Sequence, residues 1–203
     1  MIERIYLDLD GVLADFFTPT CQVHGKDPVE ILKTWPRGTW DMPKALGLEN
    51  DDALWAALDS FVLYGGRTFA HAPGADHWTR FEPYKWAGYL WNLCEDRAKT
   101  TILTSPSRHP GSAFGKVYWM RAWRGDTFRN YALVPRKAQF GKPGSLLIDD
   151  NDEACAGWKN NGGTSILFPQ VWNAHHAIAD EGRAFEFVVA ELLKLEFKPK
   201  KSE

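Results

Sequence analysis

The chain has 203 residues, of which 44% are hydrophobic and 25% are charged. This composition excludes a chain that is disordered along its length, and the length is sufficient for one buried α/β core with a small insertion. The formal net charge of −2 gives no general attraction to polynucleotides or anionic membranes. We therefore expect no polynucleotide and no membrane partner, and predict a small anionic ligand that is bound by local charge.

The first predicted element is a buried strand near the N-terminus. Residues Ile5–Leu7 are apolar and β-prone, and the sequence DLDG follows directly at positions 8–11. A strand that is buried on both faces of a parallel sheet has a short apolar run of this kind. The strand is therefore expected to present two carboxylates, Asp8 and Asp10, at its C-terminal end.

Residues 15–83 are predicted to form a small helical cap that is inserted after the first strand. The segments Cys21–Leu32 and Asp51–Leu63 have helical character, and no strong strand signal lies between them. Turn-forming residues connect these segments to the rest of the chain at Pro36-Arg37-Gly38 and Gly65-Gly66.

Strands and helices alternate after residue 83. Strands are predicted at Thr100–Leu103, Tyr131–Val134, Ser145–Ile148 and Thr164–Phe168. Helices are predicted at Lys85–Cys94, Phe114–Trp123 and Phe185–Leu195. The alternation predicts an α/β fold in which residues 1–14 and 84–203 form a Rossmann-like parallel sheet that is flanked by helices.

Polar residues that could bind a ligand follow several of these predicted strands. Ligands of parallel sheets bind beyond the carboxyl ends of the strands. The residues at those ends are Asp8, Asp10, Thr104, Asp149 and Asp150. The sequence therefore predicts that these side chains converge on one site.

The cysteines and the apolar segments bear on the cellular compartment. Cys21, Cys94 and Cys155 are far apart and form no C-x-x-C pair, which indicates neither a disulfide framework nor a zinc site. A reducing cytoplasm is the expected location. The N-terminal residues lead directly into the first predicted strand, and no apolar stretch is long enough to span a bilayer, so we expect neither a signal peptide nor a membrane anchor.

The pair Asp8 and Asp10 is the strongest chemical signal in the sequence. Two acids one residue apart at a strand end can share a metal ion while both face one pocket. An ordinary acidic turn is the alternative. An EF-hand loop is excluded, because it would need glycine and glutamate at the positions that Leu13 and Pro19 occupy.

Three further motifs follow this pair along the chain. The pair lies in DLDGVLAD at positions 8–15, and the further motifs are LTSP at 103–106, Lys137 after the Val134-Pro135 turn, and LIDD at 147–150. Together they resemble the four motifs of phosphatases of the haloacid dehalogenase (HAD) superfamily, and most of all those of the 5′(3′)-deoxyribonucleotidase family. The resemblance spans residues 5–168 and implies Mg²⁺-dependent hydrolysis of (deoxy)nucleoside monophosphates by an enzyme with a HAD fold and a small helical cap.

The resemblance also implies roles for the acidic residues. Asp8 would be the nucleophile that forms an aspartyl-phosphate. Asp10 would act as the general acid and base, and its backbone carbonyl would join the metal shell. Mg²⁺ would be held by Asp8, Asp10 and the pair Asp149 and Asp150. Which member of that pair ligates the metal directly is left open.

Polar and basic residues are expected to hold the phosphate. Thr104 and Ser105 would donate hydrogen bonds to phosphate oxygens, and Lys137 would stabilise the charge that develops on them. Lys142 is the alternative lysine, although it lies in a predicted surface turn. Lys116 is a further phosphate contact by resemblance, against the alternative of a solvated helical lysine.

A nucleobase would need a flat apolar surface. Ten tryptophans are many for this length, and the resemblance points to Phe16 or Phe17 and to Trp40 as base contacts. Base and sugar preference stay open, and so does the oligomeric state, a homodimer included. The alternatives are a HAD phosphatase for another small phosphate ester and a non-catalytic phosphate- or partner-binding module.

Overall fold

The computed structural model describes residues 1–60 and 74–199. A five-stranded sheet lies at the centre, and all of its strand pairs are parallel. The strand order is β3-β2-β1-β4-β5. The strands are β1 Arg4–Leu7, β2 Lys99–Thr104, β3 Tyr131–Leu133, β4 Ser145–Asp149 and β5 Thr164–Leu167. The predicted parallel α/β sheet is confirmed.

Helices cover the sheet and form most of the described part of the insertion after β1. They are α1 Phe17–Val23, α2 Pro28–Thr34, α3 Met42–Leu46, α4 Asp51–Ser60, α5 Ala87–Arg97, α6 Pro110–Arg124, α7 Asp152–Asn160, α8 His176–Asp180 and α9 Ala184–Leu193. Short 3₁₀ helices lie at His77–Thr79 and Lys137–Phe140. Within the described ranges, none of the helices has the length and apolar character that crossing a bilayer requires.

The register of the central strands brings the predicted site together. Leu7 of β1 is paired with Ile102 of β2 on one side and with Ile148 of β4 on the other. These strands are almost fully buried, because helices cover both faces of a parallel sheet. The residues that follow Leu7, Ile102 and Ile148 therefore emerge at the same edge of the sheet.

The prediction of one helix over Cys21–Leu32 is wrong. Two helices occupy this region, because Gly25 adopts a left-handed φ of +66° after α1. Asp27 then caps α2 by accepting a hydrogen bond from the Val29 amide at 2.8 Å. In the helix predicted at Asp51–Leu63, α4 ends at Ser60, and the remaining positions, together with the Gly65-Gly66 turn, lie outside the described residues.

The insertion after β1 packs against the sheet as one continuous apolar core. Met42, Leu46 and Leu54 of the insertion belong to the same buried cluster as Ile5 and Leu7 of β1. In its described part, the insertion contains helices and no strand. The division into a core of residues 1–14 and 84–203 and a cap of residues 15–83 stays a prediction.

A glycine in α6 allows this helix to approach the insertion closely. A Cβ atom at Gly115 would lie 2.4 Å from the Cβ atom of Trp78 and 2.8 Å from the carbonyl oxygen of Ala75. We expect Gly115→Ala to lower the free energy of unfolding by about 1–3 kcal/mol, since an extra methyl group overpacks the contact. Urea unfolding measures this change.

Gly88 in α5 is the matched control, because a Cβ atom there would meet nothing within 4 Å. Gly88→Ala is expected to raise the free energy of unfolding by about 0.5 kcal/mol, since alanine has the higher helix propensity. A Gly115→Ala variant as stable as the Gly88→Ala variant would contradict the close packing of α6.

Candidate active site

Asp8 lies directly beyond β1, at the carboxyl edge of the sheet. Its amide donates a hydrogen bond to the Ile148 carbonyl at 2.9 Å, which continues the pairing of β1 with β4. Its side chain is almost completely buried, and its Oδ1 atom accepts a hydrogen bond from the Leu9 amide at 2.6 Å. Asp8 is therefore held in a defined position beside the end of β4.

Lys137 is the lysine that the fold brings to this carboxylate. Its Nζ atom lies 2.6 Å from Asp8 Oδ2 and 2.8 Å from Asp149 Oδ2. Burial alone would lower the pKa of Lys137, but the carboxylates of Asp149 and Asp8 outweigh it and raise that pKa above its ordinary value. Lys142 lies in an exposed turn, where its amide donates to Ser145 Oγ.

Asp8, Asp149 and Asp150 form a compact acidic triad. Each contributes one carboxylate oxygen to a set whose members all lie within 4.8 Å of one another. Burial and the nearby Asp8 carboxylate raise the pKa of Asp149 to about 6 and raise the pKa of Asp150 well above its ordinary value. The three carboxylates repel one another, and a single lysine does not balance their charge. A divalent cation would therefore stabilise their ionised forms.

The two final acids have different partners. Asp149 is fully buried, and its oxygens accept hydrogen bonds from Lys137 Nζ and from the Asn151 amide, the latter at 3.0 Å. Asp150 lines the cleft, and its Oδ2 atom accepts a hydrogen bond from the Trp172 indole at 2.8 Å. Asp150 is therefore better placed than Asp149 to contact a ligand in the cleft.

Asp10 forms a second polar group with Lys116 and Thr104. Lys116 Nζ forms an ion pair with Asp10 Oδ2 and donates a hydrogen bond to Thr104 Oγ1 at 3.0 Å. Burial and the Asp8 carboxylate raise the pKa of Asp10 against the opposing charge of Lys116. Lys116 is fully buried, so the alternative of a solvated helical lysine is wrong.

A cleft of about 1280 Å³ opens above these residues. Among the described residues, its aromatic lining comprises Phe16, Trp40, Trp55, Trp78 and Trp172, and Asp8 and Ser105 also line it. Two of the three predicted base contacts, Phe16 and Trp40, therefore lie in the cleft. Phe17 does not line it, because its ring packs below against Trp35 at 5.6 Å and Trp172 at 5.9 Å.

Three aromatic residues of the cleft, Trp55, Trp78 and Trp172, were not predicted from the sequence as base contacts. Trp55 projects from α4 and stacks on Trp78, with ring centroids 6.3 Å apart and an interplanar angle of 10°. Trp172 follows β5, the strand whose carboxyl end meets the same edge of the sheet. The rule that ligands bind beyond strand ends could have identified Trp172, whereas the contact of Trp55 depends on tertiary packing.

Asp59 connects the insertion to the carboxyl edge of the sheet. Its Oδ1 atom accepts hydrogen bonds from Ser107 Oγ at 2.9 Å and from the Trp78 indole at 3.3 Å. Ser107 belongs to the loop that follows β2 and contains Ser105. These contacts hold the end of α4 over the cleft.

No protein-family model matches the sequence, and neither does any curated protein. Solved structures do resemble the fold. A predicted phosphatase from Clostridium acetobutylicum has a TM-score of 0.57 and 13% identity, and the match covers 96% of this chain and 100% of that one. A hydrolase of the haloacid dehalogenase-like family from Streptococcus pneumoniae has a TM-score of 0.54 and 14% identity, with 94% and 98% covered.

A HAD-superfamily hydrolase of subfamily IA from Geobacter sulfurreducens has a TM-score of 0.50 and 14% identity, and the match covers 89% of this chain and 100% of that one. Identities at this level establish the fold alone. The chain therefore has the Rossmann-like HAD fold that the sequence motifs predict.

Proposed function

We propose that this chain is a Mg²⁺-dependent phosphatase that hydrolyses (deoxy)nucleoside monophosphates, with Asp8 as the nucleophile. One observation carries the proposal. Lys137 forms ion pairs with both Asp8 and Asp149, and carboxylate oxygens of Asp8, Asp149 and Asp150 lie within 4.8 Å of one another. This group lies at the carboxyl edge of a HAD fold, next to a cleft that is lined by aromatic rings. The nucleotidase resemblance of the motifs supplies the substrate class, which stays a prediction.

The acidic triad fits a magnesium ion. Hard carboxylate oxygens are the ligands that Mg²⁺ prefers, and oxygens of three acids, two of them buried, lie within 4.8 Å of one another here. Asp8, Asp150 and the Asp10 carbonyl would hold the ion, while Asp149 holds Lys137 in place. When bound, Mg²⁺ would neutralise the repulsion between the carboxylates and an incoming phosphate.

The protein groups account for both chemical steps. A carboxylate oxygen of Asp8 attacks phosphorus, the ester P–O bond breaks, and the leaving oxygen takes a proton from Asp10. In the second step Asp10 takes a proton from water, the water oxygen attacks phosphorus, and the bond to Asp8 breaks. The raised pKa of Asp10 suits this role, since the group must carry a proton in the first step.

The basic residues have separate tasks in this scheme. Lys137 contacts Asp8 directly and would stabilise the charge on the transferred phosphoryl group. Lys116 joins Asp10 to Thr104 and would therefore orient the general acid. Ser105, which lines the same cleft as Asp8, would donate to a phosphate oxygen.

The aromatic lining supports a planar leaving group. Stacking of a base on an aromatic side chain contributes about 1–3 kcal/mol. Phe16 and Trp40 lie next to each other in the cleft with ring centroids 6.4 Å apart. A different phosphate ester is the alternative, and the carboxylates of Asp51 and Asp52 that line the cleft would favour one rich in hydroxyl groups.

Phosphate release from a panel of substrates tests the proposal. We expect Mg²⁺-dependent turnover of 5′- or 3′-(deoxy)nucleoside monophosphates, slower turnover of sugar phosphates, and background rates in EDTA. Turnover of sugar phosphates alone would retain the chemistry and refute the nucleotidase assignment. Failure to release phosphate from every compound in the panel would refute the phosphatase proposal.

A further inference from the structure

Trp172 makes a direct contact with a proposed metal ligand. It follows β5, and the residue is 6% exposed. Its indole nitrogen donates a hydrogen bond to Asp150 Oδ2 at 2.8 Å. A hydrogen bond to an ionised carboxylate is short and directional, so it limits the rotation of the Asp150 side chain.

The loop that carries Trp172 is fixed against the same acid. The side-chain amide of Asn173 is buried and donates to the carbonyls of Asp150 and Phe168, each at 2.8 Å. Gln170 donates its side-chain amide to the Gly11 carbonyl. The loop after β5 thus binds both the Asp150 backbone and the turn that follows Asp8.

The ring of Trp172 is part of the aromatic lining of the cleft. It stacks on Phe17 with centroids 5.9 Å apart and an angle of 28°. It also meets Trp40 edge to face at 5.6 Å and 80°. Trp172 therefore contacts Asp150 of the proposed metal site through its N–H group and contacts Trp40 of the aromatic lining through its ring.

We propose that Trp172 is a positioning residue that holds Asp150 in its metal-binding orientation and links the metal site to the aromatic lining of the cleft. This inference rests on the proposed function. Groups that hydrogen-bond to metal ligands fix the direction of the ligand atoms, and their loss typically weakens metal affinity by about 10- to 100-fold. A residue that only filled space would not affect metal affinity when replaced by another aromatic ring.

The test measures metal binding directly. Mn²⁺ serves as the probe, and electron paramagnetic resonance counts the free ion during titration of the protein. Trp172→Phe retains the ring and removes the N–H donor, so we expect Mn²⁺ to bind about 10- to 100-fold more weakly. In activity assays, we expect kcat of this variant to recover as the Mg²⁺ concentration is raised.

Trp158→Phe is the matched control. Trp158 is also buried, and its indole donates to the Ser145 carbonyl at the opposite end of β4. We expect this variant to bind Mn²⁺ as the wild type does. Thermal unfolding of both variants separates a loss of metal affinity from a loss of folded protein.

A second measurement does not depend on the stability of a variant. In the wild-type protein labelled with ¹⁵N at its indoles, addition of Mg²⁺ is expected to shift the Trp172 N–H resonance. An unshifted resonance, or wild-type Mn²⁺ affinity in Trp172→Phe, would overturn this inference alone. Weakened Mn²⁺ binding in a protein that hydrolyses no phosphate ester would support it while the proposed function fails.

Discussion

Asp8→Asn is expected to lower the rate of phosphate release by at least about 10⁴-fold, because an amide oxygen cannot replace the carboxylate nucleophile. The fold should persist, since Lys137 keeps Asp149 as an ion-pair partner at 2.8 Å. Initial rates with saturating Mg²⁺ and the best nucleotide of the panel measure the loss. Circular dichroism confirms that the variant is folded.

Asp126→Asn is the control for the loss of one negative charge. Asp126 lies in an exposed turn after α6 and does not line the cleft. We expect Asp126→Asn to release phosphate at the wild-type rate.

In the wild-type enzyme, we expect rapid acid quenching during turnover, followed by mass spectrometry, to detect a phosphorylated peptide that contains Asp8. Turnover by Asp8→Asn at the wild-type rate would exclude Asp8 as the nucleophile.

The sheet could be predicted because its central strands carry their signal locally. The apolar runs Ile5–Leu7 and Leu146–Ile148 are buried on both faces, and acidic residues follow each of them directly. The parallel arrangement then places Asp8 beside Asp149 without further information. The helix break before Pro28 was also signalled locally, by Gly25 and by the capping residue Asp27, but the apolar spacing obscured it.

Other parts of the site depend on contacts that no local pattern contains. Lys116 lies on a helix, and its burial follows from pairing with Asp10, which is 106 positions away in the chain. The choice between Lys137 and Lys142 likewise depends on where the loop after β3 meets Asp8. For the aromatic residues, sequence reasoning found Trp40 but not Trp172, whose importance lies in a hydrogen bond to Asp150.

Gly11→Ala is expected to weaken metal binding and to slow phosphate release. A Cβ atom at Gly11 would lie 2.1 Å from Asp150 Oδ2 and 3.3 Å from Trp172 Cζ2. The methyl group would occupy the space of the Asp150 carboxylate, so that acid must leave its position. We expect Mn²⁺ to bind about 100-fold more weakly, at the upper end of what displaced metal-site groups cause. Electron paramagnetic resonance titration measures the change.

Gly47→Ala separates this clash from the strain of the backbone. Gly11 and Gly47 have the same φ of +73°, but a Cβ atom at Gly47 would meet nothing within 4 Å. In both variants, an alanine in the left-handed conformation is therefore expected to lower the free energy of unfolding by about 1–2 kcal/mol, which urea unfolding measures. We expect only Gly11→Ala to lose Mn²⁺ affinity and turnover, because only there does the side chain displace an acid. Equal Mn²⁺ affinities in the two variants would show that Asp150 does not bind the ion from this position.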